Sequence, residues 1–128
     1  MSEDVGRAET FLPLTPAVFS ILLALAGGDK HGYGIMREIA GASAGALRIG
    51  PGTLYRSIKQ MLEADMIAES GDRPDPALDD ERRRYYRLTE FGRQVAQAVA
   101  ARLAQLVHQA SARGLLGGEA QPGLAGAL

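Results

Sequence analysis

Apolar residues recur at helical spacing along this chain, and the clearest case lies between residues 50 and 67. Four apolar residues there fall at i, i+4, i+7 and i+8, on one side of a helix: Leu54, Ile58, Met61 and Leu62. Pro51 has a backbone angle suited to the first helical turn. The other side is mainly polar and carries Thr53, Arg56, Ser57, Lys59, Gln60 and Glu63. The pattern predicts a short amphipathic helix.

Two helices are predicted before it and one after it. Thr15 is a good N-cap and Pro16 a good first residue for a helix that ends at Gly27-Gly28. Its apolar residues are Val18, Ile21, Leu22 and Leu25. Residues 29–34 are predicted to form a turn and residues 41–47 a loop. The second helix lies between them, with Ile35, Met36, Ile39 and Ala40 on its apolar side. This helix, loop, helix order is typical of a helix-turn-helix.

A pair of strands is predicted after the amphipathic helix. Residues 67–70 form a short extended run, a polar Pro-containing segment follows, and residues 82–89 read as a second strand. Alternation places Tyr86 and Leu88 on one face, which we expect to be buried, and Arg83, Tyr85 and Arg87 on the other. Two strands in this position form a wing.

The polar faces of the helix and the wing suit DNA. Arg and Lys pair with guanine or phosphate, Gln pairs with adenine, and Thr or Ser bind phosphate oxygens. Arginines on the wing would meet the DNA backbone and displace counterions. The alternatives are an ordinary solvated helix face and arginines that pair with Asp79, Asp80 and Glu81.

These elements in this order resemble the PadR family of bacterial transcription regulators. The resemblance rests on residues 31–35 (HGYGI), 52–55 (GTLY) and 85–89 (YYRLT) with Gly92, and it runs from about Leu14 to Arg113. Two positions depart from the commonest family pattern. Arg56 stands where many members have Pro, which leaves the operator sequence open. Asp65 stands where a Gly usually ends the recognition helix, but Asp tolerates a left-handed backbone.

The resemblance implies a mainly α fold with a two-stranded β-wing, a winged helix-turn-helix with a long C-terminal dimerisation helix. We expect a disordered N-terminus (1–10), a DNA-binding domain (11–88), the dimerisation helix (89–113) and a disordered tail (114–128). The polar faces and the resemblance together suggest nine DNA-contacting residues: Tyr33, Gly52, Thr53, Tyr55, Arg56, Ser57, Lys59, Arg83 and Arg84.

The last predicted helix, capped by Thr89 and running to about Arg113, carries a narrow apolar seam. Its members are spaced four, four, three and four residues apart: Val95, Val99, Leu103, Leu106 and Ala110. A helix of this length is too long for a small domain to cover, so we expect a homodimer. The alternative is a monomer in which the helix folds back on Phe11, Leu12 and the first helix.

Charge and composition bound the other function classes. The net charge is −1, and residues 31–93 hold ten Lys or Arg and ten Asp or Glu, so a DNA-binding face requires the cations to be segregated in space. The absence of Cys excludes disulfides and thiolate metal sites and fits a reducing cytoplasm. No apolar run is long enough to span a bilayer, so no membrane partner is expected.

An enzyme is not expected. The two histidines, His31 and His108, are far apart in sequence, and neither has another metal-ligating residue at helical spacing. The sequence also contains no nucleophile–base pattern and no phosphate loop. We therefore expect no cofactor and no metal. The remaining alternative is a winged helix that binds protein and not specific DNA. The resemblance implies a repressor of a pseudo-palindromic double-stranded DNA operator, relieved in some members by a small-molecule effector.

Overall fold

The computed structural model describes residues 14–71 and 84–117. Within them are four helices: α1 (Pro16–Ala26), α2 (Gly32–Ala42), α3 (Pro51–Glu63) and α4 (Glu90–Ala112). Three strands complete the described part: β1 (Lys30–His31), β2 (Ile67–Ser70) and β3 (Tyr85–Leu88). The predicted mainly α winged helix is confirmed. The predicted disordered N-terminus, most of the predicted disordered tail and most of the polar segment between the two wing strands lie outside the described residues. The predicted domain boundaries stay predictions.

The sheet differs from the expected two-stranded wing because it has a third strand. Its order is β1-β3-β2, all antiparallel, with Lys30 opposite Tyr86 and His31 opposite Tyr85. Lys30 and His31 were predicted to be part of a turn, since two residues are too few to show alternation. The wing itself is the hairpin of β2 and β3, with Ile67 opposite Leu88.

The predicted helix ends are largely confirmed. Thr15 accepts a hydrogen bond from the Val18 amide at 3.2 Å, and α1 stops at Gly27. Lys30 Nζ donates to the Ala24 carbonyl at 2.7 Å, which also accepts from the Gly27 amide at 3.2 Å, so the last turn of α1 is well capped. His31 caps α2, because its Nδ1 accepts from the Gly34 amide at 3.0 Å. Helix α2 continues to residue 42, so the loop begins two residues later than predicted.

One hydrophobic core holds α1, α2 and α3 against the sheet and the first half of α4. Its fully buried side chains come from every helix and from β2: Ile21, Leu22, Ile35, Leu54, Met61, Ile67 and Val95. The apolar faces predicted from helical spacing are therefore the faces that pack.

Tyr85 is buried, although it was predicted to lie on the exposed face of the second strand. Tyr86, on the face expected to be buried, is 5% exposed, but Tyr85 on the opposite face is only 7% exposed. β3 is the central strand, and the His31 ring of β1 packs edge-on against Tyr85 with centroids 5.1 Å apart. Because β1 was not predicted, the cover that it provides was missed. Arg87, further along the same face, is exposed as expected.

A tight junction joins the end of α3 to the start of α4. Asp65 adopts a left-handed backbone (φ 63°), as predicted for the position where relatives have Gly. Thr89 caps α4 by accepting from the Gly92 amide at 2.9 Å, and its hydroxyl lies 2.6 Å from the Asp65 carbonyl oxygen. Gly92 rests directly on the backbone of Met66: a Cβ at Gly92 would lie 2.8 Å from the Met66 carbonyl carbon. The junction therefore fixes α4 to the turn after α3.

No helix of residues 14–71 and 84–117 has the length and apolar character needed to cross a membrane.

Candidate nucleic-acid interface

Helix α3 presents a polar, cationic face to solvent. Thr53, Arg56 and Lys59 are exposed there, as is Gly52 in the first turn, while Leu54, Ile58 and Met61 are buried on the opposite side. Arg56 Nη2 donates to Thr53 Oγ1 at 3.4 Å, a long contact between neighbours on one helix face. Two cations and a hydroxyl therefore stand together on one exposed surface.

Ser57 does not belong to this face. It is 7% exposed, so its assignment as a DNA-contacting residue was wrong. The spacing explains the error: Ser57 lies three residues after Leu54 and four before Met61, and so shares the buried side of the helix. Its polarity had suggested the solvent-exposed side of the helix, but its position in the helical repeat determines its burial.

Tyr55 is half exposed, at 49%, and its phenol ring lies over the first residue of α2. A Cβ at Gly32 would be 2.7 Å from Tyr55 Cζ, so any larger residue there would require the ring to shift. Tyr55 therefore holds the start of α3 against the start of α2, in addition to any contact outside the protein.

Tyr33 extends the exposed surface onto α2. It is 56% exposed, and its ring stacks nearly parallel to His31 with centroids 6.5 Å apart. Arg37 lies one helical turn later, with Cζ 5.7 Å from the centre of the Tyr33 ring. Sequence reasoning missed Arg37, although its i, i+4 spacing from Tyr33 could have indicated it.

The wing contributes Arg84 and Arg87, both exposed. Arg84 Nη1 is 3.0 Å from Glu69 Oε2 on the neighbouring strand, an ion pair in which both side chains are more than half exposed. Arg83, and the acidic residues 79–81 considered as alternative partners, lie outside the described residues.

Positive charge predominates in the described part of the chain. Residues 14–71 and 84–117 contain ten Lys or Arg and six Asp or Glu, a formal charge of +4, although the full chain carries −1. Among these residues, Arg37, Arg56 and Lys59 have no carboxylate within ion-pairing distance. The acidic excess therefore belongs to the other stretches of sequence, and the exposed cations are available to an anionic partner.

Burial raises the pKa of Tyr86 above 10.0, with a further increase from Glu69 and Tyr55 and a decrease from Arg84. The folded protein then holds a proton that the unfolded chain releases above pH 10, so stability is full below pH 10 and falls as pH rises beyond it. We expect the melting temperature to fall as the pH rises above 10, and to fall less in Tyr86→Phe. An equal fall in both proteins would contradict the assignment to Tyr86.

The predicted seam of α4 divides into two parts. Val95 is fully buried and Val99 is 7% exposed, because both pack into the subunit's own core where α4 crosses α1. They were wrongly assigned to a dimer interface. Leu103 and Leu106, in the second half of the helix, are 43% and 53% exposed, and Ala110 is half-buried. Within residues 14–71 and 84–117, the seam residues that remain exposed are those of this second half.

Within residues 14–71 and 84–117, no three His, Cys, Asp or Glu side chains are grouped closely enough to hold a metal ion.

Comparison with known proteins agrees with this geometry. The sequence model of the transcriptional regulator PadR-like family matches residues 21–98. A transcriptional regulator from Clostridium thermocellum is similar in structure, with a TM-score of 0.61 and 23% identity over 76% of this chain and 87% of the other. A PadR family transcription regulator from Clostridium difficile gives a TM-score of 0.62 and 19% identity, covering 76% and 96%. Comparison with curated proteins gives no match.

Proposed function

Because the chain belongs to the PadR-like family of transcriptional regulators, we propose that it is a dimeric repressor that binds a pseudo-palindromic DNA operator. The observation that carries the proposal is the division of α3 into a buried apolar side and an exposed side with Arg56 and Lys59. A helix of this kind fits the major groove, and two copies in a dimer would enter successive grooves about 34 Å apart. The protein would act in the cytoplasm.

The exposed residues have distinct roles in this proposal. Arg56 and Lys59 would contact guanine or phosphate, and Thr53 a phosphate oxygen. Gly52 lets the backbone approach the DNA closely, and Tyr55 and Tyr33 border the groove. On the wing, Arg83 and Arg84 would contact the backbone. The Arg84–Glu69 pair is solvent-exposed and therefore weak, so phosphate can replace Glu69.

The proposed homodimer uses the second half of α4, where Leu103 and Leu106 are exposed. A small-molecule effector that relieves repression is part of the proposal and would bind where the subunits meet. The chain has no Trp, so aromatic contacts to an effector would come from its three Phe and four Tyr residues.

Arg56→Ala and Lys59→Ala should each weaken specific operator binding by about 1–3 kcal/mol if they remove a base contact. If only a phosphate contact is lost, specific and nonspecific affinity should fall together and the salt slope should shrink by about one. Fluorescence anisotropy against the operator and against a random duplex distinguishes these results. Arg113→Ala, which removes an exposed cation at the far end of α4, is the control and should change neither. Unchanged affinity in both α3 variants would contradict the recognition role.

A winged helix that binds protein is the second candidate, and the near-neutral net charge of the full chain favours it. The deciding experiment is a titration of the full-length protein against random duplex DNA and against duplexes from its own promoter region, at two salt concentrations. A regulator should bind both with strong salt dependence and prefer one promoter duplex. Binding that is absent at low salt would contradict the DNA-binding proposal and support the protein-binding one.

A further inference from the structure

We infer that Arg37 is a DNA-backbone contact and that the Tyr33 ring is its positioning residue. Together they would form a phosphate clamp between the two DNA-contacting elements, α3 and the wing. This inference rests on the proposed function and deepens it. It concerns residues of α2, which has no role in the sequence-based assignment beyond Tyr33.

The location follows from three contacts around the start of α2. Tyr55 of α3 covers Gly32, the residue before Tyr33. The Tyr33 ring stacks on His31, and His31 packs edge-on against Tyr85 of β3. Tyr85 directly follows Arg84 of the wing, and Tyr55 directly precedes Arg56 of the recognition helix. The start of α2, with its N-cap His31, therefore packs against both elements that carry these cations and forms a bridge between them on which Tyr33 is exposed.

Arg37 is held in this bridge by its ring contact. Its guanidinium carbon lies 5.7 Å from the centre of the Tyr33 ring, within the range of a cation–π interaction. Among the described residues it forms no ion pair. The neighbouring Glu38 lines the same surface depression as Arg37 but forms no ion pair with it. The arginine is restricted in orientation yet keeps its hydrogen-bond donors for another acceptor.

Phosphate is the acceptor that this arrangement favours. A guanidinium binds phosphate oxygens through paired donors, and a stacked guanidinium loses less freedom when it does so. A base-reading role is less well supported, since Arg37 stands on α2 and not on the helix proposed to enter the major groove. The clamp should thus set the position of α3 on the duplex and increase affinity for every sequence equally.

The test is a salt titration of the full-length protein with a fluorescein-labelled random duplex and with the operator. Loss of one phosphate contact should lower the slope of log K against log salt by about 0.9. The drop in affinity between 50 and 200 mM salt should then be about threefold smaller in Arg37→Ala than in the wild type. The operator-to-random affinity ratio should be unchanged. Arg113→Ala should retain the wild-type slope.

The positioning role of Tyr33 has its own readout. Tyr33→Phe keeps the ring and should retain the wild-type salt slope. Tyr33→Ala should lower the slope, by part of the amount by which Arg37→Ala lowers it. The double variant Tyr33→Ala/Arg37→Ala should bind no more weakly than Arg37→Ala alone. Additive losses would show that Tyr33 acts independently and would overturn its positioning role. A wild-type slope in Arg37→Ala would overturn the clamp and leave the proposed function standing, whereas wild-type protein that binds no duplex would overturn both.

Discussion

Leu103→Asp should convert the protein to a monomer and abolish tight operator binding. Leu103 lies on the half of α4 that is left exposed by the described residues, with Leu106 one turn further along. An unpaired carboxylate buried in an apolar interface costs several kcal/mol. A cost of about 4 kcal/mol corresponds to a roughly 1,000-fold weaker dimer. Sedimentation at micromolar concentration measures the mass, and anisotropy measures operator affinity.

Leu103→Asp should test the interface without disturbing the fold of the subunit. Leu103 is 43% exposed in the single subunit, so the substitution should leave the subunit's own core intact and its circular dichroism unchanged. Gln105→Asp places the same charge two residues away on α4 and is the matched control, expected to remain dimeric. Wild-type protein that sediments as a monomer, or a Leu103→Asp variant that stays dimeric and binds the operator, would contradict the dimer proposal and the pseudo-palindromic operator with it.

The seam of α4 also shows how far the sequence could predict the assembly. The spacing of Val95, Val99, Leu103 and Leu106 correctly indicated one apolar stripe on a long helix. Spacing alone does not say where the stripe passes from the subunit's own core to solvent. That point depends on how far α1 extends beside α4, which is a tertiary property. Val95 and Val99 were assigned to the interface for this reason.

The elements themselves were predictable because strong local signals agree with the tertiary packing. Thr15 and Thr89 cap the helices that they were expected to cap, and Asp65 takes the left-handed turn. The errors occur where a non-local neighbour decides the outcome. The strand at Lys30 and His31 exists because β3 lies beside it, and Tyr85 is buried because that strand covers it.

The same contrast separates the predicted DNA-contacting residues from Arg37. Arg56 and Lys59 are found on the exposed side because helical periodicity within α3 determines it. The location of Arg37 beside this surface depends on two contacts between distant parts of the chain, of Tyr55 with Gly32 and of Tyr85 with His31. No short sequence window contains those contacts. The extent of a binding surface is therefore harder to predict than its central helix.

Gly92→Ala should destabilise the fold by about 3 kcal/mol. The usual effect of replacing a helical Gly by Ala is the opposite, a gain in stability. In an open helix, replacing Gly by Ala stabilises by about 0.5–1 kcal/mol because the unfolded chain loses freedom. At Gly92 the new methyl group would overlap the backbone carbonyl of Met66, which is not free to rotate away. The first turn of α4 must then move off the turn after α3, which also carries the hydrogen bonds of Thr89. Overpacking against a fixed group costs about 1–3 kcal/mol or more. Urea unfolding monitored by circular dichroism measures the change.

Gly41→Ala is the matched control, because Gly41 is also helical and has no atom within 4 Å of a built Cβ. We expect it to stabilise the protein by about 0.5–1 kcal/mol. The two variants make the same chemical change in two helices, so opposite signs would isolate the contact with Met66. The shift of α4 should also weaken operator binding in Gly92→Ala, since the Met66 turn connects the recognition helix to the wing. A Gly92→Ala protein as stable as Gly41→Ala would show that α4 can move off Met66 at no cost, and that the junction does not fix the helix.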